Sequence, residues 1–229
     1  MDKDLHKSIE RYRKAAHQGN AVSQNYLGAC YLNGEGVEKD LRKAAMWYRK
    51  AAGQGYADAQ NNLAVCYLNG VGVRKDLRKA VEWYRKAADQ GYAPAQYNLG
   101  CCYDFGDGVK KDLREAVNWY LKAASQGFAE AQFNLGHSYR DGQGIGKDLK
   151  KTVKWFRKAA TQGHAAAQSN LGVCYQKGEG VKKDLKKAID WYRKAADQGC
   201  AVAQGNLREA VELYRKAAFS RHATGRAPR

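Results

Sequence analysis

Residues 91–128 read GYAPAQYNLGCCYDFGDGVKKDLREAVNWYLKAASQGF, and with small changes this stretch recurs every 36 residues. The tryptophans keep the same register: Trp47, Trp83, Trp119, Trp155 and Trp191. A fixed period of this length marks a stacked array in which each copy packs on its neighbours, not a domain folded round one centre. Five full copies fall at 21–56, 57–92, 93–128, 129–164 and 165–200, so residues 21–200 form the body of the array. Residues 1–20 match only the second half of a copy and read as an N-terminal half repeat or cap. Residues 201–218 are a shortened copy, in which Asn206-Leu207 runs straight into Arg208-Glu209-Ala210, and read as a C-terminal cap. Residues 219–229 carry no periodicity and read as a basic, disordered tail.

Two helices are legible inside each copy. From Ala57 to Asn69, Ala59, Leu63, Ala64 and Tyr67 recur at helical spacing, and Gly70 ends the run. After the Gly70-Val71-Gly72 turn, Asp76 stands where an N-cap should, its carboxylate at the positive end of the next helix dipole. Leu77 to Ala88 gives the second helix, with Ala80, Trp83, Tyr84, Ala87 and Ala88 on its apolar side, closed by Gln90-Gly91. Helices this short are marginal alone, so stacking must hold them.

The chain has 229 residues and a formal net charge of +17, with like-charge runs only two residues long. That pattern describes solvated helix faces sooner than a basic arm, although it favours acidic partners. Cys30, Cys66, Cys102 and Cys174 share one phase of the repeat, with Ser138 in the remaining copy, so the site wants a small buried side chain. Equivalent positions in stacked helices lie about 10 Å apart, too far for a disulfide. Reduced thiols, a first segment that is already repeat sequence and the lack of any long apolar run together predict an intracellular, cytoplasmic protein with no membrane segment.

The motif A-x-A-Q-x-N-L-G-x-C-Y-x-x-G-x-G-V-x-K-D-x-x-K-A-x-x-W-Y-x-K-A-A-x-Q-G, clearest at Ala93–Gly127 and Ala57–Gly91, resembles the Sel-1-like repeat, a relative of the tetratricopeptide repeat with a longer turn. The resemblance covers about residues 3–218. It implies an all-α solenoid, a right-handed superhelix of antiparallel helix pairs with the first helices lining the concave side, and a role as adaptor or scaffold. A secreted branch of that family carries two cysteines per repeat, joined in a disulfide; this chain has one per repeat.

Comparison of the copies shows where the array is free to vary. In the first helix, Ala, Leu and Tyr are constant, and the variable positions, three or four residues apart, form one stripe. In successive copies the stripe includes Asn61, Val65 and Leu68; Tyr97, Cys101 and Asp104; Phe133, His137 and Arg140; and Ser169, Val173 and Gln176. Aromatic and polar side chains on a variable face are what peptide grooves use, so this stripe is the candidate partner-binding groove, with Tyr97, Cys101 and Asp104 beside Phe133, His137 and Arg140 at its centre. An asparagine ladder runs alongside at Asn62, Asn98, Asn134 and Asn170. In tetratricopeptide relatives an asparagine at this phase can hold a peptide backbone; the competing reading is that these amides fix the stack. The residues four positions earlier include Asp58, Pro94, Glu130 and Ala166, none basic, which disfavours a clamp for a terminal carboxylate.

Second helices carry Lys/Arg pairs such as Arg78-Lys79 and Arg85-Lys86, predicting a basic convex ridge whose stems also cover the aromatic rings. Nucleic-acid or other polyanion docking on that ridge is the alternative function, weakened because stacking aromatics would have to be available. Catalytic patterns are missing: Gly142-Gln143-Gly144-Ile145-Gly146 puts Lys147 where a dinucleotide fingerprint needs glycine, and no phosphate-loop, zinc-protease or serine-nucleophile motif occurs. The sequence thus predicts a monomeric, non-enzymatic scaffold for a protein or peptide segment, without cofactor or metal.

Overall fold

The computed structural model describes residues 3–223, with side chains over residues 8–218. Among these, all regular structure is helical. The order is α1 (Lys3–His17), α2 (Ala21–Asn33), α3 (Leu41–Gly53), α4 (Ala57–Asn69), α5 (Leu77–Asp89) and α6 (Ala93–Phe105). It continues with α7 (Leu113–Ser125), α8 (Ala129–Asp141), α9 (Leu149–Thr161), α10 (Ala165–Lys177), α11 (Leu185–Asp197) and α12 (Ala201–Ala223). The chain divides into two compact units, Met1–Ala123 and Ala124–Arg229. Within each, successive helices pack on one another as antiparallel pairs, the all-α repeat stack that the periodicity predicts.

Repeat aspartates cap the starts of second helices, and repeat glycines close the ends of first helices. Asp76 accepts a hydrogen bond from the Lys79 backbone N–H at 3.1 Å, and Asp40, Asp148 and Asp184 cap α3, α9 and α11 in the same way. These bonds hold the capping carboxyls below the usual carboxylate range. At the far end of α4, Gly70 takes the left-handed conformation and its N–H reaches the Cys66 carbonyl. Two residues on, Gly72 also has positive φ, and a Cβ there would stand 1.9 Å from the Leu41 carbonyl oxygen of the preceding copy. That second turn glycine lets consecutive copies touch backbone to backbone.

The core follows the constant positions. In unit 1, Leu63, Leu99, Ala80 and Tyr84 are fully or almost fully buried, and in unit 2 Leu135, Leu171, Phe156 and Tyr192 are their counterparts. The ring of each second helix presses on the first helix of its own pair. A Cβ on Gly100 would lie 2.7 Å from Tyr120, and one on Gly136 would lie 2.3 Å from Phe156. The small residue of the N-L-G triplet is therefore a packing requirement of the pair.

The C-terminal copy departs from the expected end. The missing turn fuses both helices into α12, and that helix continues through residues 219–223, where a disordered tail was expected. No Gly or Pro interrupts the chain between Leu207 and Ala223, so nothing stops helix propagation. Residues 224–229 of the expected tail lie outside the described residues.

Candidate protein-binding site

First helices bury their constant Leu and Gln and leave most of the stripe half-exposed. In α4, Ala59, Gln60, Leu63 and Cys66 are buried, while Asp58, Val65 and Leu68 are half-buried. In α6, Tyr97, Cys101 and Asp104 are half-buried, as are Phe133, His137 and Arg140 in α8 and Val173 and Gln176 in α10. Two of the expected groove residues are buried instead: Asn61 at 8% exposure and Ser169 at 4%.

The asparagine ladder ties copies together. Asn62 Nδ2 donates to Asn25 Oδ1 at 3.0 Å, and Asn98 Nδ2 donates to Asn61 Oδ1 at 2.9 Å. In unit 2, Asn170 Nδ2 faces His137 Nε2 at 3.0 Å, an arrangement suited to a neutral ring accepting at that nitrogen. Burial, followed by the charge of Arg140, pushes the His137 pKa down and favours that neutral form. Asn134 is half-buried. At Asn62, Asn98 and Asn170 the amide nitrogen serves the stack.

The expected centre falls in two units. In unit 1, the Tyr97 ring lies 5.9 Å from that of Tyr120, whose hydroxyl stands 3.2 Å from Asp104 Oδ2 and 3.5 Å from Cys101 Sγ. In unit 2, Phe133 stacks on His164 at 4.7 Å and meets His137 edge-on at 4.6 Å, with Phe156 5.2 Å from His137. This aromatic group forms where Phe156 replaces the tyrosine of the other copies. By contrast, Tyr192 keeps its hydroxyl and donates to Gln176 Oε1 at 2.6 Å. A cleft of about 440 Å³ opens beside the group, lined among others by Arg140, Phe156, Asn170, Val173 and Lys177.

One structural device escaped the sequence reading. The glutamine of A-x-A-Q is buried in every full copy, and its motif position alone gives no hint of its partners. Gln60 Nε2 donates to the Ala52 carbonyl at 3.2 Å, closing the end of α3, and Gln60 Oε1 accepts from Gln90 Nε2 at 2.8 Å. Gln24, Gln132 and Gln168 repeat the clasp with Gln54, Gln162 and Gln198. The available signal was a buried amide always paired with the later Gln-Gly, 30 residues on.

The basic side chains are engaged with the aromatic layer. Lys86 Nζ lies 4.1 Å from the Trp83 ring centre, Lys122 3.7 Å from Trp119 and Lys158 4.8 Å from Trp155. Trp47 and Trp119 are buried, whereas Trp83, Trp155 and Trp191 are half-buried beneath Lys86, Lys158 and Lys194. In unit 1 a cleft of about 860 Å³ is lined by basic residues including Arg49, Arg74, Lys75, Arg78 and Lys79. Arg49 donates to the Tyr67 hydroxyl at 3.2 Å, and Lys79 pairs with Asp76 at 3.5 Å.

No group of three His, Cys, Asp or Glu residues among the described residues is arranged to hold a metal. Burial pushes the Cys101 thiol above its ordinary pKa, so it stays protonated at neutral pH and is a poor nucleophile. No described helix is long and apolar enough to cross a membrane.

A family model for the Sel1 repeat matches residues 1–20, 21–56, 57–92, 93–128, 129–164, 165–200 and 202–218. The chain belongs to the Sel1 repeat family. Its Sel1 repeats share 37% identity with a protective antigen of uropathogenic Escherichia coli strains that displays an SLR fold; the match has a TM-score of 0.85 and covers 98% of this chain. The chain spans about half of that antigen, 51% of its length. A Sel1 repeat protein from Oxalobacter formigenes is 36% identical over 90% of this chain and 87% of its own, with a TM-score of 0.78. A Klebsiella pneumoniae protein described as a putative Sel1 repeat protein, at 23% identity and a TM-score of 0.57, shares the fold. No curated protein matches the chain. Sel1 repeat proteins are generally protein-interaction scaffolds.

Proposed function

We propose that this chain is a non-catalytic scaffold that takes a protein segment on the stripe of its first helices. The observation that carries this reading is the contrast within each first helix. The repeated Leu and Gln are buried in every full copy, whereas the positions that change identity from copy to copy stay mostly half-exposed, with aromatic, acidic and basic side chains among them. In unit 2 such positions also border a cleft, through Arg140 and Val173. Tyr97, Phe133 and His137 are the anchors of the proposed contact, each a flat ring already held by neighbouring rings and therefore cheap to immobilise on binding. The asparagine ladder acts as the frame that spaces the helices.

A second reading is polyanion docking on the second-helix face, favoured by the basic cleft of unit 1. It ranks lower because Arg49 and Lys79 in that cleft already serve Tyr67 and Asp76. Salt separates the two, since binding built on many lysine and arginine contacts falls steeply as counterions compete. The test is capture from a cell lysate with wild type, with Tyr97→Ala/Phe133→Ala/His137→Ala, and with Arg78→Glu/Lys154→Glu, at low and high salt. Circular dichroism verifies folding of each variant. Partners kept at high salt by wild type and the charge-reversed variant, and lost by the folded triple variant, support the stripe. Capture that ignores the ring substitutions and disappears with salt or charge reversal overturns it.

A further inference from the structure

Charge in unit 1 is segregated by helix type. The second helices α3 and α5 each carry four Lys or Arg residues. The first helices α2, α4 and α6 carry no Lys, Arg or His, and their only charged side chains are Asp58 and Asp104. Both carboxylates belong to the variable stripe. A protein of net charge +17 therefore carries, on the first-helix layer of one unit, anionic charge alone among neutral side chains.

Neither carboxylate forms an ion pair among the described residues. Asp58 is held by neutral donors: Asn25 Nδ2 at 2.9 Å, the Tyr92 hydroxyl at 2.9 Å and Asn62 Nδ2 at 3.4 Å. These contacts come from three helices or their flanks and fix the carboxylate in place while leaving its charge uncompensated. Asp104 has the Tyr120 hydroxyl at 3.2 Å and stands in the last turn of α6, where the helix dipole adds negative potential. Val65, Leu68 and Tyr97 are half-buried on the same layer. An amine or guanidinium arriving there gains charge-assisted hydrogen bonds to oriented oxygens.

We propose that the first-helix face of unit 1 selects a basic-apolar protein segment, with Lys or Arg side chains on Asp58 and Asp104 and apolar ones against Val65, Leu68 and Tyr97. The proposal rests on the stripe reading above and adds the partner's chemistry, of opposite sign to what the net charge suggests. The probe is a random twelve-residue peptide library displayed on phage and selected against the full chain, with enriched peptides synthesised and their affinities measured. Enrichment of Lys and Arg beside Leu, Ile or aromatic residues is expected. Each selected peptide should bind about tenfold more weakly to Asp58→Asn and to Asp104→Asn, the scale of a lost charge-assisted bond, and more weakly to Leu68→Ala. Acidic or uncharged peptides that lose affinity to Leu68→Ala would leave the stripe reading standing and overturn this inference. So would basic peptides indifferent to both aspartate variants. Binding that ignores all three substitutions, or no enrichment, sinks both. If a variant fails to fold, the charge bias of the wild-type selection decides alone.

Discussion

Gly72 and Gly91 both hold positive φ, at 68° and 87°, yet they answer to different constraints. A Cβ on Gly91 meets nothing within 4 Å, so Gly91→Ala carries only the backbone penalty, about 1–2 kcal/mol. At Gly72 the same methyl would collide with the Leu41 carbonyl, so Gly72→Ala should cost clearly more and shift the thermal midpoint further. Paired melting curves check the order. Cysteine chemistry gives a second expectation at this scale. Burial pushes Cys66 and Cys174 up to about 11 and Cys102 up to about 12, and all six cysteines are free thiols. Alkylation of Cys66, Cys102 and Cys174 at pH 8 should be slow in the native protein, and all six thiols should react on denaturation; a lower total would mean a disulfide. The roles of Leu63, Gly70, Asp76 and Cys66 were legible in the sequence because each repeats at a fixed phase with one chemical demand. Those of Gln60 and Asn62 were not. An amide has donors and an acceptor, and only the fold says which neighbour takes each.

Helices in this array are short, and their ends carry much of what defines them. The glutamine clasp joins the end of α3 to the start of α4 and to the end of α5 through a single buried side chain. Gln60→Ala removes one bond each from the Ala52 carbonyl, which keeps the Gly55 N–H, and from the Gln90 amide, which keeps the Lys86 carbonyl; the loss of these two hydrogen bonds should cost about 1–3 kcal/mol in urea unfolding. Stability should also depend on pH through the capping aspartates. Their folded pKa values are depressed, so they contribute fully above the unfolded value of about 4, and the contribution is lost as pH falls through the lower folded values. Asp76→Asn keeps a capping oxygen but removes one titration, so its stability should fall less between pH 5 and pH 2 than that of wild type. Helix type and length were readable from period, glycine and aspartate. The fusion of α12 was half-readable, since the deletion is plain in the sequence while the continuation through residues 219–223 depends on the absence of any stop signal.

On the scale of the molecule, identical scaffolding carries non-identical faces. Unit 1 has an anionic-apolar first-helix layer, while unit 2 has an aromatic-imidazole group beside a cleft of mixed charge. Periodicity made the stack and the variable stripe legible, because a copy that differs from its siblings stands out against them. It could not show how far each stripe residue is sunk: Asn61, which accepts from Asn98 one repeat on, and Ser169 are buried. Nor could it show that Phe133 and His137 meet Phe156 and His164, a grouping set by packing between helices. The central claim is that partners lie on the first-helix face, and site-specific photo-crosslinking in cells tests it most directly. A photoreactive residue would replace Leu68 or Val173 on that face, or Arg78 or Lys154 on the second helices. Covalent protein adducts from positions 68 and 173, with none from 78 and 154, are the predicted result. Adducts from 78 and 154 alone would contradict it.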